Sequence, residues 1–198
     1  MAEAAETVES GGRTYEGVSI PPVGTYEIDP AHTSLEFVAR HMLTKVRGRF
    51  TEFAGRVTVG DTPETSSVEL DVDTASITTG NEQRDAHLHS SDFFEVDAHP
   101  KMTYRSTAFR PTGGTSFELD GELSVKGVTR PITLTGEFLG WGVDAWGNDR
   151  LFAEAKTRVN REDWGLLWNM AVELTGVLVG RDVDLEFEVQ AFKPAPER

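Results

Sequence analysis

The stretch SVELDVDT, residues 67–74, decides the fold class of this chain. Val68, Leu70 and Val72 alternate with Glu69, Asp71 and Asp73, so an extended backbone puts the aliphatics on one face and the carboxylates on the other. One dry face and one wet face is the habit of antiparallel strands, whereas doubly wound parallel sheets bury both. The same period of two runs outward in both directions. Upstream, TSLEFVARHM aligns Leu35, Phe37, Ala39 and His41, and TEFAGRVTV aligns Phe53, Gly55, Val57 and Val59. Downstream, MTYRSTA aligns Met102, Tyr104, Ser106 and Ala108, and SFELDGELSV aligns Phe117, Leu119, Gly121, Leu123 and Val125. PITLTGEF contributes Ile132, Leu134 and Phe138, RLFAEAKTRV contributes Leu151, Ala153, Ala155, Thr157 and Val159, and VDLEFEVQA closes with Val183, Leu185, Phe187, Val189 and Ala191.

Turn signals such as GDTPETS, RPTGGTS, VKGVTR and WGVDAWGND separate the runs. The pattern predicts an all-β fold of eight long antiparallel strands closed into an up-and-down barrel, with a two-sheet sandwich as the alternative. Small inward residues (Ala39, Gly55, Ser106, Ala108, Gly121, Ala153 and Ala155) either open volume for a slender ligand or relieve crowding where the barrel tapers.

The chain has 198 residues, enough for one domain, and 38% of them are hydrophobic. Acidic residues outnumber basic ones by 33 to 19, a formal charge of -14, and such a field repels nucleic acid and anionic lipid headgroups. With no cysteine, neither a disulfide nor a thiolate ligand can form. Residues 1–23 lack the basic-then-apolar pattern of a signal peptide and read as a flexible N-terminal arm ahead of a barrel domain at 24–198. No stretch approaches the ~18 apolar residues of a spanning helix, and a cytoplasmic location is expected.

NEQRDAHLHSSDFF, residues 81–94, interrupts the alternation. Asn81 suits an N-cap, and Glu82 and Asp85 suit the first turn, so a short helix is predicted from Asn81 to about His89. On a helix His87 and His89 point ~200° apart and cannot grip one ion, so no metal is expected. The chain has no Gly-x-Ser-x-Gly or glycine-rich phosphate loop.

Taken together, these stretches resemble the YceI-like family, the lipocalin-like polyisoprenoid-binding proteins. YEIDPAHTSLEFVARHM, GRFTEFAG, NEQRDAHLHSSDFF, HPKMTYRS, GELSVKGVTRPITL, NREDWGL and VLVGRDVDLEFEVQA occur in family order from Tyr26 to Ala191. Two departures stand out. Many relatives begin with an export signal that is not seen here, and Trp164 takes the place of Phe in the R-x-D-F-G stretch. The resemblance implies an eight-stranded barrel around a long apolar tail, such as a polyisoprenoid, an isoprenoid quinone or a fatty-acid-like lipid. It also implies that Asn81, Arg84, Asp85 and His87 are structural residues of the capping helix.

The expected function is therefore non-enzymatic carriage or sequestration of an amphiphilic lipid, with no cofactor beyond that ligand. An enzyme acting on such a lipid, or a filled barrel used as an interaction module, are the alternatives. Catalysis would need converging acid and base groups, and the inward faces offer little beyond His41 and Tyr104. The expected ligand wall comprises Leu35, Phe37, His41, Phe53, Leu70, Phe94, Tyr104, Phe117, Leu119, Leu134, Ala155, Trp164, Trp168 and Met170. His41 would meet a headgroup at the mouth or hydrogen-bond to backbone. Arg40, Lys45, Arg47 and Arg49 would contact that headgroup or form a solvated loop. The cluster DWGLLWNM would serve equally as wall, as core or as an association patch, which keeps a homodimer open.

Overall fold

The computed structural model describes residues 11–174 and 176–194. Arg13–Tyr15 (β1) and Val18–Ile20 (β2) pair as a small hairpin. The barrel then runs through Gly24–Ile28 (β3), Ser34–His41 (β4), Thr44–Phe50 (β5), Phe53–Val59 (β6), Ser67–Asp73 (β7) and Ile77–Thr78 (β8). After the helix Glu82–His89 (α1) come Lys101–Gly113 (β9), Ser116–Val125 (β10), Val128–Val143 (β11), Asp149–Asn160 (β12) and Val179–Lys193 (β13). β3 with β4, β5 with β6, and β7 with β8 are halves of bent strands, and counted so the sheet is a closed eight-stranded antiparallel barrel. The chain goes up and down around it, and β13 closes the ring by pairing with β12 on one side and with both β3 and β4 on the other.

The bends lie side by side. Asp73 N donates to Glu52 O at 2.9 Å and Thr51 N to Ser76 O at 3.3 Å, so the second and third strands turn together. Residues 29–33 break the first strand, and Gln190 of β13 spans the break. Its carbonyl accepts from Asp29 N at 2.9 Å and from Thr33 Oγ1 at 3.1 Å, and its N–H donates to Thr33 Oγ1 at 3.1 Å. The open ladder positions are thereby satisfied by side chain and backbone together.

The inner face carries the core. Tyr26, Ile28, Val59, Leu151 and Ala191 pack at one end, and Leu35, Phe50, Val72 and Ile77 beneath the bends. A third cluster gathers Phe93, Tyr104, Phe117, Leu123 and Trp164.

Three expectations need correction. Residues 11–23 of the expected flexible arm are built into the fold; residues 1–10 lie outside the described residues. The β1–β2 hairpin is clasped by Arg13, which donates to Pro21 O, Gly60 O (2.9 Å) and Asp61 O (2.7 Å), while Trp141 Nε1 donates to Ser19 Oγ at 3.0 Å. The stretch holding Lys45, Arg47 and Arg49 is not a loop but strand β5, paired to β4 along its length. On its outer face Arg47 bridges Glu186 at 2.7 Å and Glu36 at 3.5 Å, a solvated arrangement of modest energetic weight. Ala108 does not share the face of Met102 and Tyr104. A bulge at Thr107 reverses the phase, so Phe109 and Pro111 turn inward beyond it. A second irregularity, in β11, leaves Leu139 exposed; Gly140, at φ 140, supplies a backbone conformation that side chains resist.

The helix forms where it is predicted. Asn81 Oδ1 caps it by accepting from Arg84 N at 2.9 Å. Asp85 accepts from Thr78 Oγ1 and Thr79 N, both at 2.9 Å, and Arg84 Nε donates to Thr79 Oγ1 at 2.7 Å, tying the helix to β8. His87 Nε2 lies 3.0 Å from Asp92, and its ring packs edge-on against Phe93 and Trp168.

Replacing Arg13 with alanine should free the hairpin while leaving the barrel. Amide exchange at residues 14–20 should rise, with global stability falling by no more than about 1 kcal/mol.

Acid should destabilise the fold through three aspartates. Arg150, 2.8 Å from Asp29, holds that carboxyl below its usual range, against burial. Burial would raise Asp144 and Asp85, but hydrogen bonds from Arg150 and Asn148 to the first, and from Thr79 and Thr78 to the second, outweigh it and lower both. A carboxyl lowered on folding contributes stability above its unfolded value and loses it as pH falls through the folded one. The urea midpoint should therefore drop between about pH 5 and about pH 2, and Asp29→Asn should flatten part of that drop.

Candidate functional site

The ring is wider than its side chains can fill. A cavity of about 350 Å³ runs inside it, from the β1–β2 hairpin at one end to α1 at the other. Its lining is almost wholly apolar. Val68, Leu70, Leu185 and Phe187 sit on the inner face of a closed barrel yet keep part of their surface accessible, because they face this space and not a packed partner.

Of the residues singled out in the sequence, Leu35, Phe37, Leu70, Phe94, Tyr104, Phe117, Leu119, Leu134, Ala155 and Trp164 line the cavity. Two buried polar tips are spent on backbone carbonyls. Tyr104 Oη donates to Leu119 O at 3.1 Å, and Trp164 Nε1 donates to Leu123 O at 3.0 Å. Burial also pushes the Tyr104 hydroxyl well above its ordinary range, so it stays protonated.

Four expected wall residues lie elsewhere. His41 ends β4 beside the turn to β5 and does not line the cavity. Phe53 packs behind the wall between the two core clusters at the bend. Trp168 lies outside the floor, its ring centroid 4.5 Å from His87 and 5.5 Å from Phe93. Met170 is 56% exposed. The turn at Arg161–Trp164 ends at Gly165 in the left-handed region, Leu166 still reaches the wall, and the exposed Leu167 and Met170 mark where the chain has left it. The basic residues do not converge on the cavity either. Arg40 and Lys45 border a separate polar depression with Arg158, Asp182 and Asp184.

Glycines and alanines of the inner face play different parts. At Gly121 a Cβ would sit 2.4 Å from the Tyr104 ring, and at Gly136 the same distance from Phe117, so these glycines let rings lie flat on the sheet. Ala39, Ala153 and Ala155 border open space.

The sequence reading missed several wall residues. Tyr15, Val18, Ile20 and Pro21 close one end with the turns holding Pro63 and Thr115. Tyr15 Oη donates to Glu64 Oε1 at 2.6 Å, a bond that pushes the phenol up to about 12. The alternation of Val18 and Ile20 around Ser19 was the available signal. At the other end Leu88, Phe93, Leu166 and Arg161 join Phe94 and Trp164. Arg161 had no signal, since a lone arginine after a strand ordinarily faces water.

His41 lies off the cavity and the Tyr104 hydroxyl is engaged, so the two groups that the sequence offered for acid–base chemistry do not meet. Geometrically the site is an apolar container.

Known proteins share both the sequence pattern and this shape. A UPF0312 protein of Pseudomonas putida is 32% identical over 172 residues, covering 85% of this chain and 86% of the relative. One from Azotobacter vinelandii is 34% identical over 137 residues, covering 68% and 71%. Among solved structures, BcnA of Burkholderia cenocepacia superposes with a TM-score of 0.72 at 20% identity, covering 83% of this chain and 99% of that one. A polyisoprenoid binding domain from Saccharophagus degradans gives 0.63 at 16% identity, covering 87% and 100%. At such identities the two structures speak for the fold alone. The model of the YceI-like domain matches residues 26–191, nearly the whole barrel, and the chain belongs to the YceI-like family.

Proposed function

We propose that the protein binds a long-chain amphiphilic lipid inside the barrel and carries or sequesters it without chemical change. The observation that carries this reading is the cavity, a long space of about 350 Å³ with aliphatic and aromatic walls. That volume lies at the lower end of the ~300–1,000 Å³ usual for small-molecule pockets. Each methylene withdrawn from water into such a space contributes about 0.8 kcal/mol. The walls suit any flexible hydrocarbon tail, and the name of the structurally similar Saccharophagus domain makes prenyl lipids, including isoprenoid quinones, natural candidates beside fatty-acid-like ones. Catalysis is not part of the reading, because His41 and Tyr104 do not converge on a reacting centre.

Native mass spectrometry of gently purified protein should show an added mass that organic solvent removes. Failing that, delipidated protein should take up a prenol or a fatty acid. Binding of neither would overturn the proposal.

Ala155→Trp separates a ligand space from an imperfect core. Ala155 pairs with Gly136 and Phe187 on the neighbouring strands and borders the cavity. In a filled core an added indole would cost about 1–3 kcal/mol. Here the delipidated variant should match the parent in urea midpoint within about 0.5 kcal/mol, because the ring enters space that is already open. Lipid affinity should fall at least about tenfold, since the tail loses that space.

A further inference from the structure

The β1–β2 hairpin forms one end of the cavity without being part of the ring. Tyr15, Val18 and Ile20 turn half-buried side chains to the cavity, while Thr14 and Ser19 face solvent. The two strands pair with each other at three positions and form a sheet of their own. Glu16 and Gly17 join them at φ 46 and φ 84, the two left-handed residues of a tight hairpin turn, so the hairpin keeps its shape as a unit. It also precedes residues 26–191, the stretch that matches the family.

Its polar links to the barrel run to one turn and one strand. Arg13 Nη1 donates to Asp61 O at 2.7 Å and Nη2 to Gly60 O at 2.9 Å, and Tyr15 Oη donates to Glu64 Oε1 at 2.6 Å. Ser19 Oγ accepts from Trp141 Nε1 of β11 at 3.0 Å. Such bonds exchange for bonds to water at small net cost when a segment lifts. The hinge is equally local. Tyr26, wholly buried, donates to Pro22 O at 2.9 Å and fixes that residue to the barrel, so motion is confined to Pro21 and the residues before it. Among the described residues the hairpin is joined covalently to the barrel through Pro21 alone. The helix α1 differs on each count. It is held in the chain between β8 and β9, Asp85 and Arg84 bond it to Thr78 and Thr79, and Phe93 behind it is buried. A two-stranded hairpin by itself is marginal in water, so this end opens at lower cost than the ring.

We propose that the β1–β2 hairpin is the gate of the cavity: lipid enters and leaves where the hairpin lifts about Pro21, and Arg13 and Tyr15 latch it shut on the turn at residues 60–64. The inference rests on the lipid-binding reading and assigns the route that reading left open. A gate scales uptake and release together, because both wait for the same opening, whereas a fixed wall that loses a contact changes release alone.

The chain has no cysteine, so a pair introduced by Tyr15→Cys and Glu64→Cys can be joined selectively by a reducible bis-thiol spacer. With delipidated protein, stopped flow follows uptake and release of parinarate, a fluorescent fatty acid, and rapid filtration follows tritiated geranylgeraniol. The joined protein should exchange either lipid at least about tenfold more slowly than the same protein after reduction. Comparing one molecule before and after reduction separates gating from misfolding. Arg13→Ala is the second test. It should speed uptake and release by about fivefold each, the factor that loss of one ordinary hydrogen bond brings, and their ratio should change less than either rate. Exchange as fast in the joined protein as in the reduced one, or an Arg13→Ala variant that speeds release with uptake unchanged, overturns the gate while lipid binding stands. If the parent protein binds neither lipid, the lipid-binding reading fails and the gate with it.

Discussion

The structure depends on one closure: β13 must reach across both halves of a broken first strand. β3 and β4 cannot form a single straight strand, because the ring bends sharply at residues 29–33. Gln190 holds the two halves to one partner by bonding Asp29 and Thr33 in place of a regular ladder. With that seam made, the barrel has no free edge to template association. Every second side chain of eight strands is then committed to one enclosed space.

What that space becomes follows from how the inner residues meet. Rings lie flat where the facing strand has glycine, as Tyr104 does over Gly121 and Phe117 over Gly136. Ala153 and Ala155 on the inner face border the open interior. The two ends are closed by different devices. At one, a hairpin is held by a single arginine bonded to carbonyls and by Trp141. At the other, α1 is tied down by Asp85 and Arg84 through Thr78 and Thr79, with His87 wedged between aromatic rings. The helix residues Arg84, Asp85 and His87 thus act as fastenings.

The acidic surface and the apolar interior are consequences of the same alternation. The outward residues of neighbouring strands place arginines against carboxylates, as Arg56 with Glu69 at 2.6 Å and Arg158 with Asp184 at 2.5 Å. Such exposed pairs contribute little to stability, so the fold rests on the inner face and on the few polar fastenings at its seams and ends.

The sequence alone determined the fold class, the inward register of most strands and the capped helix, because each is written in the local backbone period or in a cap a few residues long. Ten of the fourteen residues expected to line the cavity share it in the structure, and the eight of them on strands do so because strand alternation is enforced by the covalent chain whatever surrounds it. Tertiary structure decided the rest. The bulge at Thr107 moved Ala108 out and Phe109 in, a change of phase that alternation cannot announce. The hairpin at residues 13–20 has too little apolar surface of its own and orders only against Trp141 and the turn at Gly60. Trp168 and Met170 are off the wall because the chain leaves it after Leu166. Arg161 reads in sequence as an ordinary surface cation. It is buried because the ring, once closed, brings the carbonyls of Gly180 and Leu166 around it.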